Sequence, residues 1–261
     1  MSGKWHGWRV AVILGVVATI LTTTGAISLV ARAAETEWSR LSARPLPEVF
    51  AKAGKWYATD QVALVSTNPR RLQGKPGDAG QPILVNGDQG RVADLITREQ
   101  FQDVELRCEF LVAKGSNSGV KFNGQYEIQI RDTASEKKLT GDSCGGIYPR
   151  AEQKPKYHHI DEGVAPKANV AKPAGEWQSL HVIFQSPRFD AAGKKIANAK
   201  FVKVVLNGET IHENVEVAHP TGHAWVNPEK PKGPLLFQGD HGPVAFRAIE
   251  VRAWTAPKAN E

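Results

Sequence analysis

The reading of the fold turns on one stretch: Gly115-Ser116-Asn117-Ser118-Gly119-Val120-Lys121-Phe122-Asn123-Gly124-Gln125-Tyr126-Glu127-Ile128-Gln129-Ile130-Arg131-Asp132. Apolar and polar residues alternate across residues 120–130. A strand sends successive side chains to opposite faces, so Tyr126, Ile128 and Ile130 share one face and Glu127 and Gln129 the other. The first set suits a core between two sheets. The second then stands on an outer, concave face, where it either meets solvent or lines a groove. Asp132 falls on the core side of a regular strand, and a single β-bulge between Gln129 and Asp132 would turn it to the Glu127 side.

The same period of two recurs outward from this stretch, over residues 101–112, and residues 180–184, 201–206, 210–217, 234–238 and 244–254 are further strand candidates. Asn207-Gly208 lies between two such runs and reads as a tight hairpin turn, since both residues tolerate positive φ. Only residues 47–53 look helical. Many strands punctuated by Gly, Pro and Asn imply an all-β, two-sheet antiparallel sandwich. Residues 133–176 differ: they carry Lys, Pro, Gly and His with few apolar pairs, and read as long loops over one sheet, where binding residues tend to sit. No internal repeat is present.

The chain start carries Lys4 and Arg9, an apolar run and an Ala31-Arg32-Ala33 ending. This is the pattern of a secretory signal over residues 1–33, with a retained membrane anchor as the alternative because the apolar run nearly reaches bilayer length. Export to the periplasm or the exterior follows from the first reading, and a membrane association only from the second. The segment holds Lys4, Arg9 and Arg32 and no acid, so its removal would halve the formal charge of +6. No basic cluster is interleaved with aromatics, which argues against a nucleic-acid partner. Export would permit a Cys108–Cys144 disulfide. Cys108 lies on the apolar face of its strand, so the favoured reading is a small buried residue rather than half of a bridge.

A tryptophan in such a sandwich either stacks on a sugar ring or fills the core. Trp254 ends an alternating strand and reads as core, Trp177 fits either role, and Trp225, in a loop flanked by Pro and Gly, is the best stacking candidate.

Six blocks occur in order: Asn117-Ser118-Gly119-Val120, Tyr126-Glu127-Ile128-Gln129-Ile130, Gly145-Gly146-Ile147-Tyr148, Gly175-Glu176-Trp177, Val205-Leu206-Asn207-Gly208 and Gly242-Pro243-Val244-Ala245-Phe246-Arg247. Together they resemble the 3-keto-disaccharide hydrolase family over residues 80–254, with residues 34–79 the first part of the sandwich and 255–261 a tail. The resemblance implies a concanavalin A-like jelly roll and a carbohydrate partner, an oxidised di- or oligosaccharide or glycoside. One departure is visible: the family often reads Phe-Arg-Asn-Ile near its end, and this chain has Phe246-Arg247-Ala248-Ile249. The chain also reads Glu127-x-Gln129-x-x-Asp132 where laminarinase-type glucanases of this fold carry Glu-x-Asp-x-x-Glu, which argues against ordinary glucanase chemistry.

The chemistry implied by the resemblance is elimination. A ketone at C3 of a sugar acidifies the C2 hydrogen, a base removes it, and the glycosidic oxygen leaves from C1. Water then adds back to give net hydrolysis. A base, donors for the enolate oxygen and an acid for the leaving group are required. His241, Glu127 and Asp132 are the candidate proton carriers, with His241 the first choice as base and Glu127 the alternative base or the acid for the leaving group. Asn117, Gln129, Tyr148, Gln238, Arg247 and Trp225 are the candidate substrate contacts. His158, His159, His219 and His223 are further loop histidines that the sequence does not rank. Asp240, His241, Glu127 and Asp132 are possible metal ligands, but no H-x-H or H-E-x-x-H spacing exists, and no metal or cofactor is assigned. A non-catalytic sugar-binding module on the same fold is the competing expectation.

Overall fold

The computed structural model describes residues 37–76 and 82–257. The segment read as a signal or anchor lies outside the described residues. In chain order the elements are β1 (Ser39–Arg40), α1 (Leu46–Val49), β2 (Phe50–Lys52), β3 (Tyr57–Val65), β4 (Asn68–Pro76), β5 (Ile83–Val85), β6 (Leu95–Phe101), β7 (Val104–Val112), β8 (Asn117–Phe122), β9 (Tyr126–Arg131), β10 (Ala151–Glu152), β11 (His158–His159), β12 (Gln178–Gln185), β13 (Arg188–Phe189), β14 (Lys195–Ala197), β15 (Ala199–Leu206), β16 (Glu209–Val217), β17 (Gly233–Phe237) and β18 (Val244–Ala253). A single 3₁₀ turn spans His223–Val226.

Two antiparallel sheets face each other. The larger runs β16-β15-β12-β7-β18-β5-β3-β4, with β1 added on β18, and the smaller runs β2-β6-β17-β8-β9. Their inner faces meet in one core. Val104, Leu106, Cys108, Phe110 and Val112 enter it from β7, and Val120, Phe122, Tyr126, Ile128 and Ile130 from the β8–β9 hairpin. Phe122, Phe184 and Phe201 pack ring against ring at its centre, with centroids 5.1–5.7 Å apart. The alternation read along the chain is therefore the alternation between core and outer face. Cys108 and Cys144 are both unbridged and buried in this core, where loss of hydration pushes each thiol up to about 12.

Several local expectations are corrected. The run over 120–130 is a hairpin rather than one strand. It folds back at Asn123 and Gly124, whose φ values of 54° and 67° are those a tight turn needs. The run over 101–112 breaks likewise after Phe101. The expected helix over 47–53 stops at Val49, because Phe50 is extended, pairs with Thr97 and buries its ring between the sheets. The bulge expected before Asp132 is absent, and β8 and β9 stay in register from Phe122↔Tyr126 to Asn117↔Arg131. Trp254 lies just past β18, half-buried beside a cavity at the end of the sandwich, not in the core. The Asn207-Gly208 turn is present, with φ of 51° and 90°. Residues 133–176 hold only the two-residue strands β10 and β11, as expected of loops.

Ala248 has φ 48°, at the register shift where β18 crosses β7. This is the position at which the resembling sequences favour Asn. Asn tolerates left-handed backbone better than Ala does, so the preference has a conformational explanation independent of any role in a site.

Candidate functional site

The outer face of the smaller sheet is built by the β8–β9 hairpin. Residues paired across antiparallel strands share a face, so Lys121↔Glu127, Gly119↔Gln129 and Asn117↔Arg131 all point away from the core. Lys121 Nζ lies 3.3 Å from Glu127 Oε2. Glu127 is only 3 % exposed, although it faces away from the core. Its cover comes from the loops: Thr221 Oγ1 accepts its backbone N–H at 3.0 Å, and its carbonyl accepts the Tyr148 N–H at 3.1 Å. Its carboxylate also lies across the α-carbon of Gly119, where a Cβ would fall 2.1 Å from Oε1. Glycine is thus required for Glu127 to occupy this seat.

Burial raises the Glu127 pKa above the usual carboxylate range, with the Lys121 ammonium and then His241 pulling against it. Burial alone would lower that of Lys121, but Glu127, and further off Asp94 and Asp240, hold it above the ordinary lysine value. The outcome is an ammonium fixed on a shielded carboxylate.

Beside the pair runs the loop after β17. Gln238 donates its backbone N–H to Gly119 O at 2.9 Å, and its carbonyl accepts Ser118 Oγ at 2.8 Å. Three residues on, His241 Nδ1 hydrogen-bonds Asp240 Oδ1. The imidazole is 52 % exposed. Asn86, fully buried, holds this loop: its Nδ2 donates to Gly239 O at 2.9 Å and to Gly242 O at 2.7 Å, and its Oδ1 accepts the Val244 N–H at 2.8 Å. Asp94 accepts the Gly239 N–H at 2.9 Å. Its carboxyl is raised by burial and by Asp240.

Gln129 donates to Asp142 Oδ1 at 2.6 Å, and Arg131 pairs with the same carboxylate. Tyr148 is carried next to Glu127 by the bridge between Ile128 and Ile147. Its hydroxyl lies 3.0 Å from that of Tyr157 and 2.9 Å from His159 Nε2.

The expected convergence is therefore partial. Glu127, Gln129, Gln238 and His241 belong to one face, with Asn117 at its far end opposite Arg131 and Tyr148 adjoining. Asp132 does not join them. Without the bulge it turns away and accepts the Gly115 N–H at 2.8 Å, beside a cavity shared with Lys114, Pro69 and Pro173. Arg247 is on the outer face of the other sheet, bound to Glu109 at 2.6 Å and stacked 4.0 Å over the Trp177 ring. Trp225 braces the loops, donating its indole N–H to Ala151 O at 2.8 Å. Among the described residues, no group of three or more His, Cys, Asp and Glu side chains is arranged to hold a metal ion.

A family model for the 3-keto-alpha-glucoside-1,2-lyase-like domain matches residues 52–252. The chain belongs to this family. A 3-keto-disaccharide hydrolase of Bacteroides thetaiotaomicron is 28 % identical over 173 residues, which are 63 % of this chain and 53 % of the relative. The chain thus spans about half the length of that curated relative. Two solved structures of glycosyl hydrolase candidates from Parabacteroides distasonis share the sandwich. One has TM-score 0.52 at 20 % identity over 78 % of this chain and 84 % of that one, the other 0.50 at 18 % over 84 % and 100 %.

In this family member the residues of this face missed by sequence reading are Lys121, Asp94, Asn86, Asp142 and Tyr157, while His159 was named there only among the unranked loop histidines. Lys121 was accessible to it: counting back from Asn123-Gly124 pairs Lys121 with Glu127. Asn86 was not, because its partners lie more than 150 residues away.

Proposed function

We propose that the outer face of the smaller sheet takes a glycoside oxidised at C3 and cleaves its glycosidic bond by elimination and rehydration. His241 is the base. Asp240 holds Nδ1 and leaves Nε2 free to take the C2 proton, the usual way a neighbouring carboxylate fixes a histidine's tautomer. As the C2–H bond breaks, its electrons move toward the ketone, and the negative charge developing on that oxygen is met by the Lys121 ammonium. The C1–O bond then breaks, and water adds to the resulting double bond. Glu127 positions Lys121 from beneath, and Gln129, Gln238 and Asn117 supply hydrogen bonds to hydroxyls.

The observation that carries this reading is the shielded Glu127–Lys121 pair beside an aspartate-bound histidine, on a chain of this family. The hydrolase relative from Bacteroides thetaiotaomicron supports the substrate class. The test is turnover of a panel of 3-keto-glycosides by wild type, His241→Ala and Glu127→Gln. Each variant is expected to remain folded, His241→Ala losing a factor of ~10²–10⁴ in kcat as loss of a general base does and Glu127→Gln losing turnover through misplacement of Lys121. Undiminished turnover in both would overturn the assigned roles. Binding of sugars without turnover by wild type would leave a sugar-binding module in place of an enzyme.

A further inference from the structure

The mechanism above lacks a donor for the departing oxygen. Glu127 is engaged by Lys121 and shielded. Asp142 is engaged by Gln129 and Arg131. Asp132 is on the other side of its strand. Asp94 accepts the Gly239 N–H and acts on Lys121. Next to Glu127 there is also a phenol.

We propose that Tyr148 is the general acid of this site and that His159 resupplies its proton. This rests on the reading of the preceding subsection. Three observations carry it. The backbone N–H of Tyr148 bonds to Glu127 O at 3.1 Å, so the two side chains start from adjacent positions of one sheet face. The Tyr148 hydroxyl has a ring nitrogen, His159 Nε2, at 2.9 Å and the Tyr157 hydroxyl at 3.0 Å, and the His159 ring meets the Tyr148 ring edge to face with centroids 5.1 Å apart. His159 is itself exposed, so it can exchange protons with water while its Nε2 faces the phenol.

The step balances. As the C1–O bond breaks, the bonding pair goes to the departing oxygen, which takes the Tyr148 hydroxyl proton. The phenolate takes a proton from His159 Nε2, and His159 regains one from water. Burial, then the hydrogen bond with Tyr157, pushes the Tyr148 phenol well above the ordinary tyrosine range. It therefore stays protonated at neutral pH, and its proton is required most where the departing oxygen is strongly basic, a sugar or alkyl alkoxide rather than a stabilised phenolate.

That requirement supplies the test. Two 3-keto-glucosides are compared, one with a 4-nitrophenyl leaving group and one with a methyl group. Tyr148→Phe is expected to slow the methyl glycoside ~10²–10⁴-fold and the nitrophenyl glycoside by no more than about tenfold, because nitrophenolate departs without help. His159→Ala is expected to show the same split at smaller amplitude, with added imidazole restoring rate on the methyl glycoside. Equal losses on both substrates would make Tyr148 a structural or binding residue and overturn the proposal while leaving the elimination reading intact. Absence of imidazole rescue together with equal losses for His159→Ala would remove the relay. If wild type turned over neither substrate, the reading of the site and the acid assignment would fall together.

Discussion

Breaking the Lys121–Glu127 pair from its two ends is expected to give unequal results. Lys121→Met leaves a carboxylate that is 3 % exposed without its nearest cation. Leaving one partner of a buried ion pair uncompensated costs ~3–5 kcal/mol. Glu127→Gln instead removes the charge whose burial is unfavourable. It leaves Lys121, 20 % exposed along its side chain, with Asp94 and Asp240 still acting on it. A lost hydrogen bond with a partly hydrated partner costs ~1–2 kcal/mol. The double variant holds neither charge, so it should be more stable than Lys121→Met alone, a coupling of ~2 kcal/mol. At about 2–4 °C per kcal/mol in a domain of this size, Lys121→Met should lower Tm by ~6–20 °C. The pH dependence has a fixed sign. Glu127 already titrates above its unfolded value, and loss of Lys121 raises it further. The folded state then binds more protons than the unfolded one, so stability of Lys121→Met is lost as pH rises through the folded pKa and recovers as pH falls toward about 4.5. Urea unfolding of the three variants between pH 5 and 8 measures all of this. Additive penalties, or Glu127→Gln as the costlier change, would refute the picture of a carboxylate that depends on its lysine.

Ala248→Asn should stabilise by ~0.5–1 kcal/mol, since an exposed residue at φ 48° gains from a side chain suited to left-handed backbone; a rise in the urea midpoint checks it. His212 is buried, with Nε2 donating to Gly145 O at 2.8 Å, and burial lowers its pKa. The unfolded chain therefore binds more protons below about pH 6.5, and stability falls with acidification by up to ~1.4 kcal/mol per pH unit from this group. A His212→Gln variant whose stability was as steep in pH as wild type between pH 7 and 5 would show that the slope lies elsewhere.

What the sequence discloses here is parity. Alternation assigns each residue to a core or an outer face, and it does so correctly for Glu127, Gln129 and Arg247. It does not disclose which sheet a strand joins. Arg247 is on an outer face as its pattern implies, but β18 pairs with β7 and β5 in the larger sheet, so the arginine ends opposite the site. The error at Asp132 is of another kind. A bulge costs one residue of register and leaves no reliable mark in composition, and the strand runs on without one. Tyr148 and His159 illustrate a third limit. They are brought together by β10 and β11, each two residues long, within a stretch whose composition reads only as loop.

The absence of that bulge bears on the chemistry as well as on the register. A retaining glycosidase needs two carboxyls about 5–5.5 Å apart, one a nucleophile and one an acid. Strand β9 offers Glu127 alone on the relevant face: Gln129 is an amide committed to Asp142, and Asp132 caps the turn at Gly115. Glu127 is covered by loops and neutralised by Lys121, so neither attack on C1 nor proton donation to a glycosidic oxygen suits it. A displacement mechanism at this face would want a second free carboxylate, and an elimination mechanism would want a cation held where an enolate oxygen forms. The hairpin supplies the cation. Under the proposed mechanism Glu127 is the support of a lysine rather than a reagent, and the proton transfers pass to groups outside the hairpin, His241 on the loop after β17 and Tyr148 on the loops that cover the sheet.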